Sequence, residues 1–193
     1  MKTKLLLLAF TVLSAGAYCQ SKNSLCFVVG TAGNGIFLIG IGGAGYQGKG
    51  ETIYGLNYSR SLTKSFSIET GLEYSLNNVL LDYVDPPRPS FKPQDASIRM
   101  LSVPVYAKIT FLKYLFADGG LIADFETDHH SDAIVSDQSG IGIGLGIGGK
   151  YNFKKMFIFI NPFLQFHSII SFRNEGNGSL VDQGVKVGIG YLF

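Results

Sequence analysis

Charge is scarce in this sequence. Asp, Glu, Lys and Arg make up only 16% of it, low for a surface that must face water, and the formal net charge is +2. A nucleic-acid partner therefore has no electrostatic support. Long apolar runs are missing too: beyond the N-terminal segment none approaches the ~18–20 residues that a transmembrane helix needs. Cysteine is nearly absent, with only Cys19 and Cys26. If Cys19 departs with a leader, no intramolecular disulfide can form, although an oxidising compartment would permit one. Cys26 then reads as a small apolar filler in the first strand. Glycine, at 25 residues, is abundant. An apolar chain without a membrane helix is a conflict that a closed β-barrel resolves, because in lipid every backbone polar group must be paired internally.

The N-terminus has the layout of a secretory signal. Lys2 and Lys4 form a basic region, Leu5 to Leu13 is apolar but too short to span a bilayer, and the small residues Ala15, Gly16 and Ala17 follow. Cleavage after Ala17 or after Cys19 is compatible with this pattern, and the second is preferred. Lipidation of Cys19 is disfavoured by the bulky Tyr18 before it. The expected organisation is a signal peptide over 1–19 and one barrel domain over 20–193.

Apolar and polar residues alternate in strand-length segments. Phe66, Ile68, Thr70, Leu72, Tyr74 and Leu76 fall on one face, and Ser67, Glu69, Gly71, Glu73, Ser75 and Asn77 on the other. Tyr54, Leu56 and Tyr58 repeat the device against Gly55, Asn57 and Ser59. Leu101, Val103, Val105, Ala107 and Ile109 oppose Ser102, Tyr106, Lys108 and Thr110. Leu115, Ala117, Leu121, Ala123 and Phe125 oppose Asp118, Gly120 and Asp124. From Gly140 to Gly149, isoleucines and Leu145 alternate with glycines. Ile158, Ile160, Leu164, Phe166 and Ile170 then oppose Asn161, Gln165 and His167, and Val185 to Phe193 opposes Lys186, Gly188 and Gly190. An even strand number is usual for a bacterial barrel, so Leu25 to Tyr46 should supply one strand more, with limits blurred by its glycines.

Short and long connections alternate. Ser61–Ser65, Leu112–Lys113 and Asn152–Lys155 are short, whereas Val84–Ala96, Thr127–Ser139 and Arg173–Leu180 are long and polar. That is the pattern of periplasmic turns and outer loops. The pairs Tyr58 and Phe66, Phe111 and Tyr114, and Tyr151 and Phe157 flank the turns as an aromatic girdle. Basic residues (Arg60, Lys64, Lys113, Lys154, Lys155) gather at the turn end. Acids, among them Asp82, Asp85, Asp95, Glu126 and Asp182, gather at the loop end.

Alternation alone does not say which face is outside. A soluble lipocalin-like barrel would turn its apolar face inward. Here the apolar face carries no charge within strands, while the other mixes glycine with Glu69, Glu73, Lys108, Asp118, Asp124 and Lys186. Glycine-lined strands suit a narrow lumen better than a solvent surface. With about eight strands the interior is filled by side chains, so those six charged residues read as a paired structural plug. Pro104 cannot donate a ladder bond, and a bulge or irregularity is expected there.

The chain resembles the small outer-membrane β-barrel family that includes PorT-like proteins of Gram-negative bacteria. The matching stretches are Ser65 to Ser75, Leu101-Ser-Val-Pro-Val-Tyr-Ala-Lys108, Gly144–Tyr151 and Val187 to Phe193. The resemblance implies a barrel of about eight strands in the outer membrane and no shared reaction. It also implies that Tyr191 and Phe193 form the signal read by the barrel-assembly machinery.

Candidate chemistry is thin. The glycines from Gly140 to Gly148 alternate too strictly, with no following helix, to cradle a phosphate. Asp128-His129-His130-Ser131-Asp132 is a dense set of metal-competent residues, but without a second ligand group at a recognisable spacing. His167, Ser168, Ser171 and Glu175 invite comparison with lipid-A-deacylating barrels. In a regular strand, however, His167 and Ser168 point to opposite faces, and Ser171 lies ~13 Å along from His167. A bulge near Ser168 would change that. The expectation is thus an all-β, closed, antiparallel up-and-down transmembrane barrel with no catalytic, cofactor or metal site. Its expected contacts are outer-membrane lipid, lipopolysaccharide, and a surface partner through Val84–Ala96 and Thr127–Ser139. The alternatives are a lipid-modifying barrel enzyme and a soluble ligand-binding barrel.

Overall fold

The computed structural model describes residues 23–38, 44–84, 94–129, 138–172 and 178–193. The expected signal peptide, the centre of each long loop and Glu175 lie outside the described residues. Eight strands form: β1 (Asn23–Leu38), β2 (Ala44–Ser61), β3 (Phe66–Val84), β4 (Gln94–Phe111), β5 (Leu115–His129), β6 (Gly140–Phe153), β7 (Met156–Ser171) and β8 (Gly178–Leu192). Each pairs antiparallel with its neighbour in sequence, and β1 closes on β8. The seam is sealed by reciprocal bonds: Asn23 N donates to Phe193 O at 3.0 Å and Phe193 N to Asn23 O at 2.9 Å. Up-and-down order follows from short connections, since a strand leaving a tight turn has only its predecessor to pair with.

The segment Leu25 to Tyr46 holds most of β1 and also the start of β2, whose polar, glycine-rich half hides its period. Register shifts at Gly45/Tyr46 and Gly48/Gly50 mark the irregularity. The long-loop boundaries move as well: β5 runs on to His129 and β4 begins at Gln94, so the loops are shorter than the polar stretches suggest.

The inside-out assignment holds. Outward side chains are large and apolar, with Leu72, Val105, Leu121, Leu145 and Ile160 each more than half exposed. The opposite face buries Glu51, Glu69, Glu73, Asp118, Asp124 and Lys186. A water-soluble barrel cannot expose such a belt; a bilayer accommodates it. Glycine makes room inside: a Cβ on Gly144 would lie 2.2 Å from the Tyr106 hydroxyl, and one on Gly146 would lie 2.4 Å from Asp118 Oδ1.

Several expectations need correction. Phe157 does not join the girdle. It points inward at 3% exposure and packs with Cys26, Val28, Phe159 and Leu192. β7 is apolar on both faces here, so period two could not assign it. At Pro104 the expected irregularity is a gap in the β3–β4 ladder and not a bulge: pairs are absent between Thr70–Val105 and Glu73–Ser102, and one register holds on both sides. The shift in β4 falls at Arg99/Met100 instead. Asp182 is not a solvated loop acid but is fully buried.

Candidate functional site

The lumen concentrates the polar chemistry of the described residues, and it is layered. Toward the turns lies the apolar layer around Cys26, Val28 and Phe157. Toward the loops lies another, built from Val79, Ile98, Met100 and Leu180. Charged and hydrogen-bonding side chains fill the space between them.

Nearest the turns, Lys108 of β4 pairs with Glu69 Oε2 at 2.5 Å and approaches Asp118 Oδ2 at 3.7 Å. Asn161 donates to the same Asp118 oxygen at 3.0 Å. Farther in, Lys186 of β8 reaches Glu73 Oε2 at 2.7 Å, and Asn57 donates to Glu73 Oε1 at 3.0 Å. Gln165 donates to the Tyr106 hydroxyl at 2.8 Å. The six charged residues expected to plug the barrel all point inward, five of them into these pairs.

The sixth, Asp124, belongs to a cluster that sequence did not assemble. Its Oδ2 lies 2.9 Å from His167 Nδ1, and its Oδ1 accepts from Ser102 Oγ at 2.6 Å. The other ring nitrogen, Nε2, is 3.0 Å from Asp182 Oδ2. That second contact is ionic in distance but poorly aligned for a hydrogen bond, leaving both Asp182 oxygens without a well-formed donor. Glu51, also buried, takes a long contact of 3.5 Å from Asn77.

Aromatic rings are the component that sequence missed altogether. Lys108 Nζ lies 4.6 Å from the Phe116 centroid, Lys186 Nζ 4.5 Å from Phe163, and Lys150 Nζ 3.9 Å from Phe157. Each lysine thus meets a ring face in a site from which water is largely removed, where cation–π attraction is strongest. The available signal was parity: Phe157, Phe159 and Phe163 share it with Asn161 and His167.

The bulge that bears on the enzyme alternative is present. Between Ile141–Ile170 and Ile143–Phe166, β7 carries two more residues than β6, and Ser168 takes φ 50°. His167 and Ser168 are consequently both buried, while Ile169 and Ile170 are both exposed. Both His167 nitrogens nevertheless face carboxylates, so neither is placed to take a proton from a serine. Ser171 pairs with Gly140 one turn of the pleat farther on. Of the loop cluster, His130, Ser131 and Asp132 lie outside the described residues, as do the side chains of Asp128 and His129. Tyr191 and Phe193 sit exposed at the turn-end rim.

Free space inside is small. Around Glu73, Tyr106, Gln165 and Lys186 it amounts to about 10 Å³, room for no more than about one water. A recess toward the turns, beside Ser67, Glu69 and Lys108, holds about 60 Å³.

Among solved structures the fold has clear likenesses. The outer membrane protein OprG from Pseudomonas aeruginosa superposes with a TM-score of 0.58 at 13% identity, covering 90% of this chain and 96% of that one. Ail, the attachment invasion locus protein of Yersinia pestis, solved with the heparin analogue sucrose octasulfate, gives 0.53 at 12% identity, covering 89% and 99%. No known protein family and no curated protein matches the chain in sequence. The architecture is that of a small outer-membrane β-barrel.

Proposed function

We propose that the protein is a non-conducting, non-catalytic barrel of the outer membrane that acts as a structural element or through its surface loops. The observation carrying this reading is the lumen of the described residues: a polar layer whose spaces of about 10 and 60 Å³ are far too small for a channel, flanked by apolar clusters toward the turns and toward the loops. Such an interior passes no solute, and Glu69, Lys108, Asp118, Glu73 and Lys186 are paired with one another within it. What remains for function is the outer surface and the long polar connections around residues 85–93 and 130–137, the second of which carries Asp132 and Asp137 with no Lys or Arg and suits lipopolysaccharide-bound cations or a surface partner. On the same reading Tyr191 and Phe193, exposed at the turn-end rim, serve as the signal for the barrel-assembly machinery.

The test combines fractionation with electrical recording. The protein should be recovered in the outer membrane, shift in gel mobility on boiling, and give no steps of conductance in planar bilayers. Stable single-channel steps from the folded protein would overturn the non-conducting reading.

The Ser168 bulge favours one second reading, a lipid-modifying barrel using His167. The carboxylates on both ring nitrogens weigh against it.

A further inference from the structure

The barrel exterior carries a notch of about 370 Å³, lined by Tyr114 and Leu115 of the β4–β5 turn and β5, Gly149 and Tyr151 of β6, and Ile158 and Ile160 of β7. That volume lies in the range of small-molecule sites, ~300–1,000 Å³. The notch exists because Gly149 faces outward, between Leu115 and Ile160 in the ladder, and contributes no side chain to the belt. Its neighbours in β6 are glycine because the lumen is crowded. Gly149 is different: a Cβ there would meet only Tyr114 O at 3.9 Å and Ile160 Cγ2 at 4.0 Å, ordinary contacts. The fold does not require the gap.

The notch has a defined depth and a charged rim. Tyr114 and Tyr151 stack with centroids 6.1 Å apart, at the aromatic level of the turn end. Beyond them, at the turns, stand Lys113, Lys154 and Lys155, all exposed. No carboxylate pairs with these lysines among the described residues. An apolar cleft under unpaired cations fits an amphiphile with an acyl chain below and a negative headgroup above.

We propose that this notch is a retained-lipid site for an anionic glycerophospholipid of the periplasmic leaflet. One acyl chain lies over Gly149 beneath the stacked Tyr114–Tyr151 pair, and the phosphate is held by Lys113, Lys154 and Lys155. The assignment rests on the outer-membrane reading above, with turns on the periplasmic side.

The experiment is native mass spectrometry of the detergent-purified barrel titrated with phosphatidylglycerol or phosphatidylethanolamine of the same chains. The wild type should retain one phosphatidylglycerol in preference to phosphatidylethanolamine. Gly149→Leu, which fills the notch, should lose retention of both. The double variant Lys154→Gln/Lys155→Gln should lose the preference, by about fivefold per lysine, the effect of one basic residue at an anionic surface. Equal retention of the two lipids by wild type, or unchanged retention by Gly149→Leu, would overturn the proposal. So would a wild-type dimer that Gly149→Leu abolishes, which would assign the notch to a second copy. The boiling shift of each sample reads the barrel separately: its absence in wild type would sink the membrane-barrel reading itself. Should Gly149→Leu alone fail to fold, the lysine variant, remote from the notch floor, decides.

Discussion

Glu73 and Lys186 stand 113 residues apart in the sequence and meet across the lumen at 2.7 Å, both almost fully buried. Few contacts in the barrel join such distant strands, β3 and β8, without passing through the ladder. Removing one partner leaves the other charge uncompensated, at a cost of about 3–5 kcal/mol. Glu73→Leu or Lys186→Met should therefore each reduce the folded fraction in urea titrations followed by gel mobility. The double variant should recover much of the loss. A double variant no better than the worse single one would refute the pairing.

His167 is expected to serve stability and not turnover. With His167→Ala, Asp124 and Asp182 would face each other without the ring between them, and the barrel should unfold at lower denaturant. Lipid-A profiles from cells carrying His167→Ala or Ser168→Ala should match those of the wild type. A lost lipid-A species in either strain would revive the enzymatic alternative.

Gly144 measures how tightly the lumen is filled. Gly144→Ala should destabilise by about 1–3 kcal/mol, the usual cost of overpacking, because its methyl would strike the Tyr106 hydroxyl. Adding Tyr106→Phe removes the atom struck and should recover part of the loss. Equal stability of Gly144→Ala and wild type in urea would contradict the close approach.

Loop and barrel separate at residue 137, not at 139. Gln138 is buried, and its Oε1 accepts from Leu180 N at 3.0 Å, while Ser139 Oγ accepts from Glu126 N at 3.0 Å. Deleting 130–137 with a short linker should leave the boiling shift intact. Gln138→Ala, which strands a buried N–H, should cost about 1–3 kcal/mol. Loss of the folded band on the deletion would contradict the division.

Sequence reached the strands wherever one face was apolar and the other polar. β3 could be read residue by residue, and Glu69 and Glu73 were assigned inward on parity alone. It failed where that contrast vanishes. β7 alternates one hydrophobic with another, so Phe157 was placed on the wrong side, and the two extra residues at Ser168 leave no trace in composition. The upper half of β2 is polar on both faces, because strands continue past the bilayer where no lipid selects for apolar residues. Asp182 looked like a loop acid for the same reason. Its burial comes from facing the closed lumen, where it stands beside His167 of β7.

The seam between β1 and β8 has a consequence for how the chain reaches its native state. With its first and last strands as mutual partners, any partly assembled sheet keeps two open edges, and only the arrival of β8 removes both together. The pairing of Asn23 with Phe193 spans almost the entire polypeptide, so its loop-closure entropy is met last and assembly is slow by topology. A chain arrested before residue 178 would be an adhesive sheet, prone to self-association, and not a smaller version of the same protein.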